Sequence, residues 1–279
     1  MHFAIDTPQF GPYANPRTLA ELAREAEAAG WDGFFIWDHI NVNWVEPVAD
    51  PWIALAAMAS VTSRIRLGAL VTPLARRHPW KVARETVTLD HLSNGRLVFG
   101  AGLGTDLFGE LTIFGTATDD RIRAQMLDEG LQILTSLWSG ERVSFEGKHF
   151  SFKETQFLPR PVQSPRIPIW IAGTWPHKPP FRRAAKYDGV IAVGGDLEKA
   201  LTPDSIREMI AFVKKHRASD DAFDVVQFGE TRGLCNGEDT DIVAPFEAAG
   251  ATWWVEGVLP WKRPFDEVCA RIKKGPPRM

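Results

Sequence analysis

The stretch IRLGALVTPLARRHPWKVARETVTLDHLSNGRLVFGAGLG, residues 65–104, contains one complete structural unit and decides the fold. Ile65–Val71 reads as a strand. Pro79 is suited to the first turn of a helix that runs to Leu92, because its missing N–H is an orphan there anyway. Arg96–Gly102 is the next strand. Strand, helix and strand in succession form the repeating unit of a parallel sheet.

The same rhythm extends in both directions. Upstream, His2–Asp6 reads as a strand and Arg17–Ala29 as a helix with Leu19, Leu22, Ala23 and Ala26 on one face. Gly33–His39 (GFFIWDH) has the near-continuous apolar character of a strand buried on both faces, and Pro51–Val61 is helical. Downstream, Arg121–Trp138 carries an apolar stripe of Ile122, Met126, Leu127, Leu131, Leu134 and Leu137. Strands over Ile167–Gly173, Gly189–Gly194, Asp224–Gly229 and Thr252–Val258 then alternate with helices over Phe181–Tyr187, Pro203–Arg217, Ile242–Ala249 and Phe265–Lys274. Eight such units in about 250 residues predict an α/β fold, a single (β/α)8 barrel. A doubly wound open sheet is the alternative. The expected organisation is one domain over residues 1–279. An insertion at about 139–166 lies between the fourth helix and the fifth strand: GERVSFEGKHFSFKETQFLPRPVQSP alternates as a hairpin around Gly147 and ends in a Pro-rich connector. It reads equally as a lid, an oligomer contact or a decorated loop.

Composition excludes several classes. The 279 residues hold 32 Lys+Arg against 35 Asp+Glu, a net charge of −3, so no basic field awaits nucleic acid. No apolar run approaches the roughly 20 residues of a membrane span. No basic segment precedes an apolar stretch at the start, so no signal peptide is expected and a reducing cytoplasm is the expected location. Two cysteines, Cys235 and Cys269, cannot build a disulfide framework or a four-ligand zinc site. The odd count is Trp, 11 against 2 Tyr.

In a barrel of this type, reactive groups come from the C-terminal ends of the strands. Those ends are Asp6, Asp38–His39, Thr72, Gly100–Thr105, Gly173–Thr174, Gly194–Asp196, Gly229–Glu230 and Glu256–Gly257. Only His39 among them is an imidazole, so no metal is expected where a catalytic zinc usually needs three ligands. GAGLGTD, Gly100–Asp106, fails the dinucleotide spacing, since Thr105 and Leu107 stand where the third glycine would be needed. Its small residues let the chain pass close to something bulky, either a side chain or a planar cofactor. There is no G-x-S-x-G elbow, and neither cysteine has an identifiable activating His. Asp38–His39 is the strongest feature. Strand alternation puts Phe35, Trp37 and His39 on one face and Phe34, Ile36 and Asp38 on the other. A His at a barrel mouth suits proton transfer; a structural His bonded to a neighbouring loop is the competing reading.

Through these residues the sequence resembles the bacterial luciferase-like superfamily of flavin-dependent barrels. That superfamily includes monooxygenases using reduced flavin mononucleotide (FMN) and dehydrogenases or reductases using a deazaflavin, coenzyme F420. The resemblance runs through GWDGFFIWDH (Gly30–His39), residues 65–104, GTDLFGELTIFG (Gly104–Gly115) and PRPVQSPRIPIWIAG (Pro159–Gly173). It implies an oxidoreductase acting on a small organic substrate with FMN or F420. It also implies a ring platform at a bulge in the third strand, often with a non-proline cis peptide, matched here by Ala69–Leu70 before Thr72. His39 would move a proton near the reactive edge of the ring, with Asp38 orienting or charging it. Gly102 and Gly104 would pass beside the ring, and Gly173–Thr174 and Gly194–Gly195 would face the phosphate, with Arg76, Arg77 and His78 adding charge. Trp37, Trp44, Trp175 and Trp254 would line the mouth. The partners implied are a homodimer and, for the monooxygenase branch, a separate flavin reductase; neither nucleic acid nor membrane is expected.

Two departures lean toward the deazaflavin branch. The luciferases carry an Arg after the fourth strand where this chain has Leu103–Gly104, and a double His where it has Asp38–His39. The Glu that deazaflavin sugar-phosphate dehydrogenases place after the fourth-strand glycines has no clean counterpart; Asp106 and Glu110 are nearest. A flavin-binding protein without turnover is the alternative from another class.

Overall fold

The computed structural model describes residues 1–44, 46–194, 201–258 and 262–277. Nine parallel strands form one sheet: β1 (His2–Thr7), β2 (Gly33–Ile36), β3 (Arg66–Ala69), β4 (Thr72–Pro73), β5 (Phe99–Gly102), β8 (Ile169–Trp175), β9 (Gly189–Gly194), β10 (Asp224–Gly229) and β11 (Trp253–Gly257). Their order is β3-β2-β1-β11-β10-β9-β8-β5-β4. The two outermost members are halves of one interrupted strand. Leu70 and Val71 lie between them, joined by a non-proline cis peptide, and a bridge from Leu67 to Leu97 brings the two ends together. Counting β3 and β4 as one strand gives the eight units of an α/β barrel, as the alternation predicted. The cis bond falls one residue later than Ala69–Leu70, so the expected dipeptide is corrected to Leu70–Val71.

The helices are α1 (Pro16–Ala29), α2 (Pro51–Val61), α3 (Pro79–Leu92), the one-turn α4 (Glu110–Ile113), α5 (Asp120–Trp138), α6 (Lys178–Ala184), α7 (Pro203–Lys214), α8 (Gly237–Ala248) and α9 (Phe265–Lys274). Local signals explain their limits. In α1, the Asn15 side chain accepts from the Arg17 N–H, Pro16 opens the first turn, and Gly30 at φ +92° closes the helix. Leu19, Leu22, Ala23 and Ala26 face inward from it, as expected.

Two apolar layers result from the period of two. Ala4, Phe35, Leu70, Val98, Trp170, Ile191, Val226, Trp253 and Val255 fill the barrel interior. Alternate residues such as Ile5, Phe34, Leu67, Phe99 and Trp254 pack outward against the helices. Each large side chain so buried contributes about 1.5–3 kcal/mol.

Strands β6 (Arg142–Glu146) and β7 (Ser151–Gln156) make a separate antiparallel hairpin between α5 and β8. Glu129 of α5 accepts the Lys148, His149 and Phe150 amides at 2.8, 3.0 and 3.0 Å, and the Phe150 ring meets Trp80 of α3 at 6.2 Å. The hairpin therefore lies on the outer helices. Among the described residues, no helix is long and apolar enough to cross a membrane.

Candidate functional site

The inward-facing row of β1 runs from Ala4 in the barrel interior to Asp6 at the mouth, and that of β2 continues from Phe35 to Trp37 and His39. Trp37 Nε1 donates to Asp6 Oδ2 at 2.7 Å, which ties the two strand ends together. Asp6 is 3% exposed and its Oδ1 has no hydrogen-bond partner. Burial pushes its carboxyl well above the ordinary Asp range, and the Trp37 bond offsets only part of that.

His39 sits in an aromatic corner. Phe108, Trp37 and Phe10 surround its ring at centroid distances of 4.7, 5.9 and 6.4 Å. Its carbonyl accepts from Gln9 Nε2 at 2.6 Å. Its Nδ1 lies 2.7 Å from Glu110 Oε2. Glu110, on α4, is buried; its Oε1 also accepts from the Ile40 and Asn41 amides and, at 2.9 Å, from Arg76 Nη1. Burial alone would raise the Glu110 carboxyl, but the His39 contact, the Ile40 amide and the Arg76 guanidinium together hold it below the usual carboxylate range. An ionised Glu110 accepts only, so Nδ1 carries the proton in this contact and the ring is anchored through that nitrogen. Nε2 has no hydrogen bond to any described residue.

Asp38 faces the other way, as its parity requires. Its Oδ1 takes Arg76 Nη2 at 2.6 Å and Arg77 Nη2 at 2.7 Å. The expectation that Asp38 orients His39 is corrected: Glu110 does so, while Asp38 holds the two arginines. Arg76 and Arg77 are thereby charge-paired at the rim, each with its Nε left without a partner among the described residues.

The remaining expected positions separate by face. Ala69 packs in the outer layer, so the residues that the bulge turns inward are Leu70 and Val71. Thr72 is fully buried with Oγ1 unpartnered. A Cβ on Gly102 would meet Val71 at 2.8 Å, and one on Gly104 would meet Pro73 at 2.7 Å. The bulk those glycines admit is thus the Val71–Pro73 bulge itself. Gly173 faces outward to Pro180 and Phe181, whereas Thr174 takes the inward row with Ala172. Gly194 ends β9, and Gly195 lies outside the described residues.

Of the four tryptophans expected at the mouth, two are there. Trp37 borders His39, and Trp44, 41% exposed, packs on Phe10 and Phe108. Trp254 turns outward onto Phe246, and Trp175 outward onto Phe181 and Phe212. Asp6, Glu110, Arg76 and Arg77 carry most of the site's polar geometry. Asp6 and Glu110 were visible as a strand end and a loop acid, without a partner to link them.

A cavity of about 370 Å³ opens at the opposite end of the barrel, lined by His2, Asp32, Arg64, Arg66, Trp170 and Trp253 among others. Barrels of this type place their chemistry at the C-terminal strand ends, so the mouth is the candidate active site. Among the described residues no three His, Cys, Asp or Glu converge to hold a metal ion.

The chain is 34% identical over 180 residues to the F420-dependent glucose-6-phosphate dehydrogenase of Microbacterium testaceum, covering 62% of this chain and 51% of the relative. It spans about half the length of the curated relatives it matches. The coenzyme F420 dependent tetrahydromethanopterin reductase from Methanopyrus kandleri superposes with TM-score 0.75 at 19% identity, over 98% of this chain and 97% of that one. An F420-dependent secondary alcohol dehydrogenase in complex with an F420–acetone adduct gives TM-score 0.80 at 17% identity, over 98% and 97%. At these identities the structural likeness is one of fold. Residues 1–232 match the family described as luciferase-like monooxygenase, and the chain belongs to that family.

Proposed function

We propose that this chain is an oxidoreductase that uses a deazaflavin coenzyme of the F420 type to move hydride to or from a small organic molecule. Residues 1–279 are read as one catalytic unit. The observation that carries the proposal is the His39–Glu110 pair at the mouth, its imidazole fixed through Nδ1 and open at Nε2. The residues present fit a planar, partly polar ring. Leu70 and Val71 offer an apolar platform, and Asp6 Oδ1 and Thr72 Oγ1 are buried polar atoms with no partner.

When bound, a deazaflavin supplies or accepts the hydride, chemistry that no side chain here can perform. The chain's own residues do the rest. His39 takes or gives a proton at Nε2. Glu110 fixes the tautomer, and Arg76 keeps Glu110 ionised. Phe10, Trp44 and Phe108 exclude water from the imidazole. Thr174 and Gly194 stand at strand ends where backbone N–H groups suit an anionic tail.

Support for F420 over FMN comes from the relatives named above as F420-dependent and from Leu103–Gly104 in place of an Arg. Monooxygenase chemistry with reduced FMN, a partner reductase and oxygen uptake is the second reading, favoured by the family's own description. Titration with F420 and with FMN, each followed by turnover and oxygen-uptake assays, separates them. Tight F420 binding with hydride transfer is expected. FMN binding with oxygen uptake would replace this reading with the second. Binding of either without turnover would leave a flavin carrier.

A further inference from the structure

The mouth holds one buried carboxyl that takes no part in proton transfer at His39. Asp6 Oδ2 accepts the Trp37 indole N–H, while Oδ1 is buried and meets no donor or acceptor among the described residues. Asp38 also has an unpaired oxygen, but its charge is met by Arg76 and Arg77. Glu110 has Arg76 and His39. Glu256, on the strand beside Asp6, turns outward onto Arg271. Asp6 alone of these four acids has no cation among the described residues. Its strand neighbours in register are Phe35 and Gly257, both uncharged. The titratable groups at the strand ends packed against it are His39 and Asp38 beyond β2, Asp38 turned away onto Arg76 and Arg77, and the outward Glu256 of β11.

We propose that Asp6 is a specificity-determining residue whose Oδ1 donates a hydrogen bond to a carbonyl or hydroxyl oxygen on an uncharged part of a molecule seated at the mouth. Burial without a cation favours the protonated carboxyl. That form has one acceptor oxygen, which Trp37 occupies, and one O–H that needs an acceptor. The charges of Arg76 and Arg77 are already met by Asp38 and Glu110, so this pair carries no excess positive charge to attract an anion. A cation would favour the ionised carboxyl instead. The aromatic surroundings of Trp37 and Phe10 suit an uncharged body. The accepting oxygen belongs either to the coenzyme ring or to the substrate. The inference rests on the oxidoreductase reading for what occupies the mouth.

The test compares Asp6→Asn, which keeps an acceptor for Trp37 and a donor in place of the O–H, with Asp6→Leu, which keeps only the bulk. Each protein is titrated with F420 by fluorescence, and the loaded protein is then titrated with cyclohexanone as a neutral ketone probe. The leucine variant should lose about tenfold or more in affinity for one probe, while the asparagine variant stays within about threefold of the parent. The probe that weakens identifies the source of the oxygen. Equal losses in both variants, with the fold intact by circular dichroism, would mean an ionised acceptor and overturn the proposal. So would a leucine variant that binds both probes like the parent. Asp6→Ala replaces the leucine variant if that one does not fold. A parent protein that binds neither F420 nor FMN overturns the oxidoreductase reading, and this inference with it.

Discussion

The two ends of the barrel use the same device, an aspartate taking a tryptophan indole, and complete it differently. At the N-terminal end, Asp224 accepts from Trp170 Nε1, Trp253 Nε1 and Thr252 Oγ1, each at 3.1 Å. Nearby, buried Arg96 places its nitrogens on the Ala59, Thr62, Ile65 and Ser93 carbonyls and the Thr62 hydroxyl. At the mouth, Asp6 has one indole and one open oxygen, Thr72 Oγ1 has no partner, and His39 is held by one nitrogen only. Buried polar groups in folded proteins are nearly always paired. Saturation at one end fixes the barrel, and the open valences at the other are those that a ligand would complete under the proposed function.

That contrast can be broken or sharpened experimentally. The largest effect is expected from Arg76→Met, which takes the shared guanidinium from buried Glu110 and Asp38. Leaving a buried partner uncompensated costs about 3–5 kcal/mol, and a loss below 1 kcal/mol in urea unfolding would show that the arginine does not hold the rim. Asp224→Leu orphans three donors at the saturated end and should cost about 2–3 kcal/mol of stability with F420 affinity unchanged. A drop in affinity there would erase the division between the two ends. His39→Ala should do the reverse. Its unfolding midpoint should stay near the parent's while turnover falls at least about tenfold, or about 1.4 kcal/mol of barrier; unchanged turnover removes His39 from the mechanism.

The smallest effect separates the two mouth carboxyls by pH. Glu110 is held below its usual range, so its contribution to stability is present above about pH 4.3, the unfolded value, and is lost as pH falls through its folded value. Asp6 is raised, so its contribution is present below about pH 3.9 and lost as pH climbs toward its folded value. Glu110→Gln should therefore be weaker than the parent at neutral pH, with the gap closing in acid. Asp6→Asn should gain on the parent as pH rises from 4 to 7. Urea midpoints across pH 3–8 read both slopes, and parallel curves would show that the two carboxyls titrate alike.

The fold was legible because alternation of strand and helix is a local property, repeated eight times along the chain. The parity of β2 was legible for the same reason: a period of two places Phe35, Trp37 and His39 on one face whatever the rest of the molecule does. Adjacent tryptophans defeat that logic. In Trp253–Trp254 both faces are apolar, so no pattern says which ring turns inward; Trp253 does, at the far end of the barrel, and Trp254 packs on Phe246. The position of the cis bond depends on how the bulge meets β5 through Gly100 and Gly102, again a packing matter. The polar site was the least legible. Asp6 meets Trp37, Asp38 meets Arg76 and Arg77, and His39 meets Glu110 across 31 to 71 residues of sequence, separations that only the pairing of neighbouring strands brings together.

The pairing of β1 with β11 sets the order in which this molecule can become functional. Asp6 lies beside Gly257, so as the chain leaves the ribosome the first strand waits with one open edge until the eleventh has been made. Until then the carboxyl at its tip is wet and ordinary. Its unusual chemistry begins when the ring shuts, and a molecule that engages it adds its binding free energy to that last seam. A nascent chain stalled before residue 257 would be an open sheet with exposed strand edges. For this barrel, assembly of the wall must come before assembly of the site.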